Sequence, residues 1–120
     1  MKILVCEDNI LTLRTVEFAL KKAGFEVLKA VDGDQGIKIL DEEIVDMVIT
    51  DINMPFTKGL ELVRHINTKL EEKVPVIIIS SITLKETKDH AMELGAKGYL
   101  TKPFDLDILV GMVNTLTKEN

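Results

Sequence analysis

Three carboxylates, one lysine and one hydroxyl fall where they can act together. Asp51 closes the apolar run Met47-Val48-Ile49-Thr50 and is followed at once by Ile52-Asn53-Met54-Pro55. Glu7 and Asp8 follow Ile3-Leu4-Val5-Cys6, Ser80 ends Val76-Ile77-Ile78-Ile79, and Lys102 follows Gly98-Tyr99-Leu100-Thr101 just before Pro103. This set suits a hard divalent cation and a phosphoryl group. Mg²⁺ prefers octahedral oxygen ligation and is usually held by one or two carboxylates together with waters and phosphate oxygens. Asp8 and Asp51 suit direct ligation, Glu7 direct or water-mediated ligation, and a carbonyl just past the strand end, such as that of Asn53, completes the protein's share. Crowded carboxylates raise one another's pKa, so a cation relieves them and frees Asp51 to act as a nucleophile. Attack of an aspartate on phosphorus gives an acyl phosphate. Lys102 and Ser80 would then share the phosphoryl oxygens with the metal, a matter of positioning and charge stabilisation.

Such groups converge only if the apolar runs are neighbouring parallel strands. Strands are predicted at Lys2–Cys6, Glu26–Ala30, Met47–Asp51, Val76–Ser80 and Gly98–Thr101. The first, third and fourth are continuous Val/Ile/Leu runs, as in a parallel sheet covered on both faces. Helical spacing predicts intervening helices at Ile10–Ala23, Asp34–Leu40, Lys58–Leu70, Leu84–Leu94 and Asp105–Leu116. Asp8 or Asn9 can cap the first, which Gly24 stops, and Gly95 ends the fourth. The inward stripe of the fourth, Thr87, Ala91 and Leu94, is weakly apolar, so that helix is expected to pack least firmly. Strands alternating with helices imply an α/β fold with right-handed crossovers and helices on both faces. The residues at the strand ends then share the sheet edge where ligands bind.

With 120 residues, the chain is read as one domain spanning 1–120. That length buries roughly two thirds of the unfolded surface. A net charge of −5 without a basic stripe or aromatic platform argues against direct nucleic-acid binding. The longest apolar run, Val74 to Ile79, is far too short to span a bilayer. Met1-Lys2 leads straight into a strand and the single cysteine excludes an internal disulfide, so a cytoplasmic protein without a signal peptide is expected. Cys6 reads as a small buried hydrophobe. Asp32-Gly33-Asp34 opens like a calcium loop, but Ile37 stands where the turn glycine is needed. His65 and His90 read as surface histidines. Neither GxGxxG nor GxxxxGK is present.

Taken in order, Ile3 to Asp8, Asp51-Ile52-Asn53-Met54-Pro55 with Gly59, Pro75 to Ser80, and Gly95 to Phe104 resemble the receiver domain of bacterial response regulators. The resemblance implies a flavodoxin-like, doubly wound five-stranded parallel sheet of order 2-1-3-4-5 with five helices. It implies that Asp51 is the phosphoacceptor, that Glu7 and Asp8 serve Mg²⁺, and that Asn53 gives its backbone carbonyl to the metal. Ser80 matches the switch hydroxyl, Tyr99 the switch aromatic and Lys102 the phosphoryl-contacting lysine, with Lys102–Pro103 expected cis. Glu7 replaces the more frequent aspartate, Ser81 stands where alanine is usual, and Gly36 where alanine often sits. The implied function is a phosphorylation-operated switch fed by a sensor histidine kinase or phosphotransfer protein, changing the surface of the fourth helix, fifth strand and fifth helix. The fifth helix lacks the dimer salt-bridge pattern of winged-helix regulators, which implies a monomer or weak dimer. Only Thr117 to Asn120 follow that helix, as in a stand-alone receiver or a piece of a longer chain. Two rivals are weaker. A haloacid-dehalogenase-like phosphohydrolase needs an acid where Asn53 stands, and the intact Glu7, Asp8, Asp51, Ser80 and Lys102 set argues against a flavodoxin-like binding module or a degenerate receiver that no longer takes phosphate.

Overall fold

Alternation of apolar runs with amphipathic stretches builds β1 (Lys2–Cys6), α1 (Ile10–Lys22), β2 (Glu26–Ala30), α2 (Gly33–Glu42), β3 (Met47–Asp51), α3 (Gly59–Lys69), β4 (Val76–Ser80), α4 (Lys85–Glu93), β5 (Gly98–Thr101) and α5 (Leu106–Lys118). The computed structural model describes residues 1–53, 58–69 and 74–118. The strands form one parallel sheet in the order β2-β1-β3-β4-β5, the flavodoxin-like arrangement expected above. All five strands have the bounds read from the sequence.

Strand alternation divides the interior into two layers. Ile3, Val5, Met47, Ile49, Ile77 and Ile79 point to the face covered by α1 and α5, where Leu13, Val16, Leu20, Leu109 and Val113 meet them. Leu4, Cys6, Val48, Val76 and Ile78 point to the other face, against Leu40 of α2, Leu62, Val63 and Ile66 of α3, and Ala91 of α4. Burial on both faces explains why these strands are unbroken hydrophobic runs.

The helix ends are locally specified. Asn9 caps α1 through its side chain, which accepts the Thr12 N–H at 3.1 Å. Asp32 caps α2 by accepting from the Gln35 N–H at 2.8 Å, while Gln35 Oε1 accepts the Val31 N–H at 3.1 Å. These two side-chain bonds, a variant of the capping box in which Gln35 reaches the residue before the cap, start α2 at Gly33, one residue before the predicted Asp34. Left-handed φ values of 98° at Gly24 and 112° at Gly95 close α1 and α4, where side-chain-bearing residues would be strained. As expected, α4 is the least anchored: Ala91 is its one buried residue, and Leu84 caps it without a side-chain hydrogen bond. His65 departs from expectation. Its side chain is only 15% exposed, with Nε2 3.4 Å from Asp41 Oδ1 of α2, because α3 turns this residue toward its neighbouring helix. Leu70, expected at the inner end of α3, and Met54-Pro55 of the loop after β3 lie outside the described residues.

Gly36 has a packing reason. A Cβ there would stand 2.8 Å from Cys6 Sγ. Cys6 is fully buried, and burial pushes its thiol up to about 12, so it behaves as an inert hydrophobe. Gly36→Ala is therefore expected to destabilise the wild type. In a Cys6→Ala background, the same change is expected to stabilise by about 1 kcal/mol through helix propensity. Equal effects in both backgrounds in urea melts would remove this contact as the reason for glycine.

Candidate functional site

Strand register assembles the site. Cys6 pairs with Thr50 across β1 and β3, so Glu7 and Asp51, next in each chain, emerge side by side at the C-terminal edge. Ser80 pairs with Thr101 across β4 and β5, which delivers Lys102 to the same edge. The chain reverses its winding direction between β1 and β3, because β2 and β3 flank β1 on opposite sides. The crevice at such a switch point is the usual ligand site of an open α/β sheet.

One oxygen from each of Glu7, Asp8 and Asp51 lies within 4.8 Å of the others. Glu7 and Asp51 are buried, whereas Asp8 is exposed. Because Asn9 caps α1, the helix does not draw on Asp8 for that purpose. Lys102 Nζ donates to Asp51 Oδ2 at 2.6 Å and also to Glu7 Oε1. The Asn53 N–H donates to Asp51 Oδ1 at 3.1 Å, so each Asp51 oxygen has a donor of its own. Behind the carboxylate, the Thr50 hydroxyl donates to the Asp51 carbonyl oxygen at 2.9 Å.

Burial pushes the Glu7 carboxyl up from 4.5 to about 7; Lys102 pulls against this and the Asp51 carboxylate adds to it. For Lys102, burial acts to lower the pKa, but contacts with Asp51 and Glu7 outweigh it and leave the ammonium above its ordinary value. Glu7 Oε2 is buried with no hydrogen-bond partner among the described residues. A buried, unpartnered carboxylate oxygen beside two further carboxylates fits a hard cation: the donors are all oxygen, and the missing contact is one a cation supplies. Glu7, Asp8 and Asp51 are the residues that would hold Mg²⁺.

Ser80 and Tyr99 form a second set of contacts. Ser80 is fully buried, and its Oγ accepts the Ile82 N–H at 3.0 Å. The half-buried Tyr99 hydroxyl donates to the Ile82 carbonyl at 2.8 Å. Ile82 thus bridges the hydroxyl and the aromatic through its main chain, while its side chain packs on the α2–α4 core. Backbone bridges of this kind leave no residue-type signal and are not legible in a sequence. The Lys102 N–H donates to the Ser80 carbonyl at 2.7 Å, and the Lys102–Pro103 bond is cis.

A doubly wound sheet with three acids and a lysine at its switch point defines a class of cation- and phosphate-handling α/β domains. The chain belongs to the response regulator receiver domain family, whose profile matches residues 3–114. Receiver domains are the phosphorylation-operated signalling parts of two-component systems. The chain is 34% identical over 117 residues to the transcriptional regulatory protein PrrA of Mycobacterium tuberculosis, covering 98% of this chain and 50% of that protein. It therefore spans about half the length of the curated relatives it matches. Among solved structures, the Francisella response regulator 1452 receiver domain superposes with a TM-score of 0.92 at 30% identity, covering 98% of this chain and 97% of that one. The chemotaxis response regulator CheY4 of Vibrio cholerae gives 0.84 at 30% identity, covering 98% and 96%. No helix among the described residues is long and apolar enough to cross a membrane.

The raised Glu7 pKa has a sign. Without metal, the native state holds a proton on Glu7 that the unfolded chain releases from about pH 4.5 upward, so this group's contribution to stability falls as pH rises toward about 7. Cation binding needs the carboxylate ionised and acts in the opposite direction. The rise in melting temperature on adding Mg²⁺ is expected to be largest above about pH 7 and to shrink toward about pH 5. Asp8→Ala is expected to remove most of it. A Mg²⁺-induced shift independent of pH, or unchanged in Asp8→Ala, would contradict the site.

Proposed function

We propose that this chain, read as a single receiver domain over residues 1–120, accepts a phosphoryl group on Asp51 from the phosphohistidine of a sensor kinase or phosphotransfer protein in the cytoplasm. The observation that carries this is the convergence on Asp51 of two further carboxylates and Lys102 at one sheet edge. An Asp51 oxygen attacks phosphorus, the phosphorus–nitrogen bond breaks, and its electron pair returns to the imidazole. The two donors on Asp51, the Asn53 N–H and Lys102 Nζ, restrict the carboxylate's rotation and aim its lone pairs. Lys102 then passes from the carboxylate to a phosphoryl oxygen, and Ser80 Oγ supplies a hydroxyl donor to another. Glu7, Asp8, Asp51 and the Asn53 backbone carbonyl would hold Mg²⁺, which would supply charge neutralisation at the phosphoryl oxygens.

The chain is a signalling receiver that catalyses its own phosphotransfer and dephosphorylation rather than an enzyme acting on a separate substrate. When Ser80 turns toward the phosphoryl group, its bond from the Ile82 N–H is lost, and the Ile82 carbonyl that holds Tyr99 moves with it. That links the site to the surface of α4, β5 and α5, and weakly anchored α4 suits an element with two positions. The net charge of −5 argues against direct nucleic-acid binding by this chain itself. The chain works as a monomer or weak dimer.

Incubation with a small acyl-phosphate donor and Mg²⁺ is expected to add one phosphoryl group by intact mass. Asp51→Asn is expected to add none. Continued labelling of that variant would move the phosphoacceptor elsewhere.

A further inference from the structure

We propose that Gly59 is a positioning residue for Asp51, an inference that rests on Asp51 being the metal-assisted phosphoacceptor. A Cβ at Gly59 would lie 2.0 Å from the Asp51 carbonyl oxygen, 2.9 Å from its carbonyl carbon and 3.0 Å from Ile52 Cα. All three are backbone atoms, so nothing can swing aside. This differs from Gly36, whose close neighbour is a side-chain sulfur, and from Gly111, which has nothing within 4 Å. Gly59 also donates its N–H to the Ile52 carbonyl at 3.0 Å. The first residue of α3 is therefore laid directly against the backbone that leaves β3.

The element that yields to a side chain here is set by burial. Leu62, Val63 and Ile66 fix α3 in the core at 0% exposure, so retreat of the helix would open a cavity beneath it. Asp51 and Ile52 are buried as well, Ile52 within the same core, whereas Asn53 is exposed, so the turn yields first at Asn53. That turn carries the Asn53 N–H that donates to Asp51 Oδ1 and the Asn53 carbonyl assigned to the metal. Lys102 reaches Asp51 Oδ2 from β5 and does not depend on the turn. A methyl group at position 59 thus releases one Asp51 oxygen and leaves the other held, turning the carboxylate out of its aim while the sheet stays intact.

The test is Mg²⁺ affinity by calorimetry on the folded protein, comparing wild type, Gly59→Ala and Gly111→Ala, with amide exchange at Asn53 read by NMR. Gly59→Ala is expected to weaken Mg²⁺ binding about tenfold or more, the scale of losing a group that orients a metal ligand, and to speed exchange of the Asn53 amide. Gly111→Ala, the same change in open space, is expected to leave both unchanged. Unaltered Mg²⁺ affinity in Gly59→Ala overturns the proposal even if its melting temperature falls, because that pattern is packing alone. Absence of Mg²⁺ binding in the wild type overturns the functional reading itself and this inference with it. Should Gly59→Ala not fold, Asn53→Pro deletes the same N–H with Gly59 in place. Weakening of about tenfold there supports the proposal, and unchanged affinity overturns it.

Discussion

The constraint on which this structure turns is charge balance at a buried edge. Fully ionised, Glu7, Asp8 and Asp51 bring three negative charges against the single positive charge of Lys102. Two carboxylates about 4 Å apart repel by about 4 kcal/mol at an effective dielectric constant near 20. The fold holds them there because they extend from strands whose spacing the ladders fix, above two layers of packed aliphatic side chains. Lys102 offsets part of the repulsion, and the raised Glu7 carboxyl takes up more by retaining a proton near neutrality. What remains uncompensated is what a divalent cation would satisfy.

The same balance connects the site to the rest of the molecule. Lys102, which holds two of the acids, sits one residue past the β5 strand and is tied by its own N–H to Ser80 at the end of β4. A change of charge on Asp51 therefore acts on a lysine and a hydroxyl at adjacent strand ends. From Ser80 the contacts run through the Ile82 main chain to Tyr99. Beside that path lies α4, whose hold on the core is Ala91 with half-buried neighbours Thr87 and Leu94. A helix with so little buried surface is moved at small cost, which supports reading it as the responsive element.

The sequence made the architecture legible because each strand was bounded by residues with a distinct physical role. Aliphatic runs ended at an acid, a serine or a lysine–proline pair, and the observed strand bounds coincide with those runs. The convergence of Glu7, Asp8, Asp51 and Lys102 followed from topology once the strands were taken as parallel. Spacing alone left Asp8 open between cap and ligand, and the Asn9 cap answers the first of these. What escaped were features carried by backbone or by neighbours distant in sequence. Gly36 and Gly59 carry no side chain to signal a role, and their close contacts, with Cys6 Sγ and the Asp51 carbonyl, are visible only in the fold. The D-x-x-Q spacing of Asp32 and Gln35 is a helix-start signal that also opens like a calcium loop, and the bonds of the two side chains decide for the former. His65 was misplaced because helical spacing shows which face meets the sheet and not which face meets a neighbouring helix.

The most direct test of this account is carboxyl ¹³C NMR of Glu7 across pH, with and without saturating Mg²⁺. A Glu7 midpoint near 7 is expected without metal, reflecting burial beside Asp51, and a lower midpoint once Mg²⁺ is bound. A Glu7 midpoint that Mg²⁺ leaves where it was would contradict it, because the buried acid would then not face the cation.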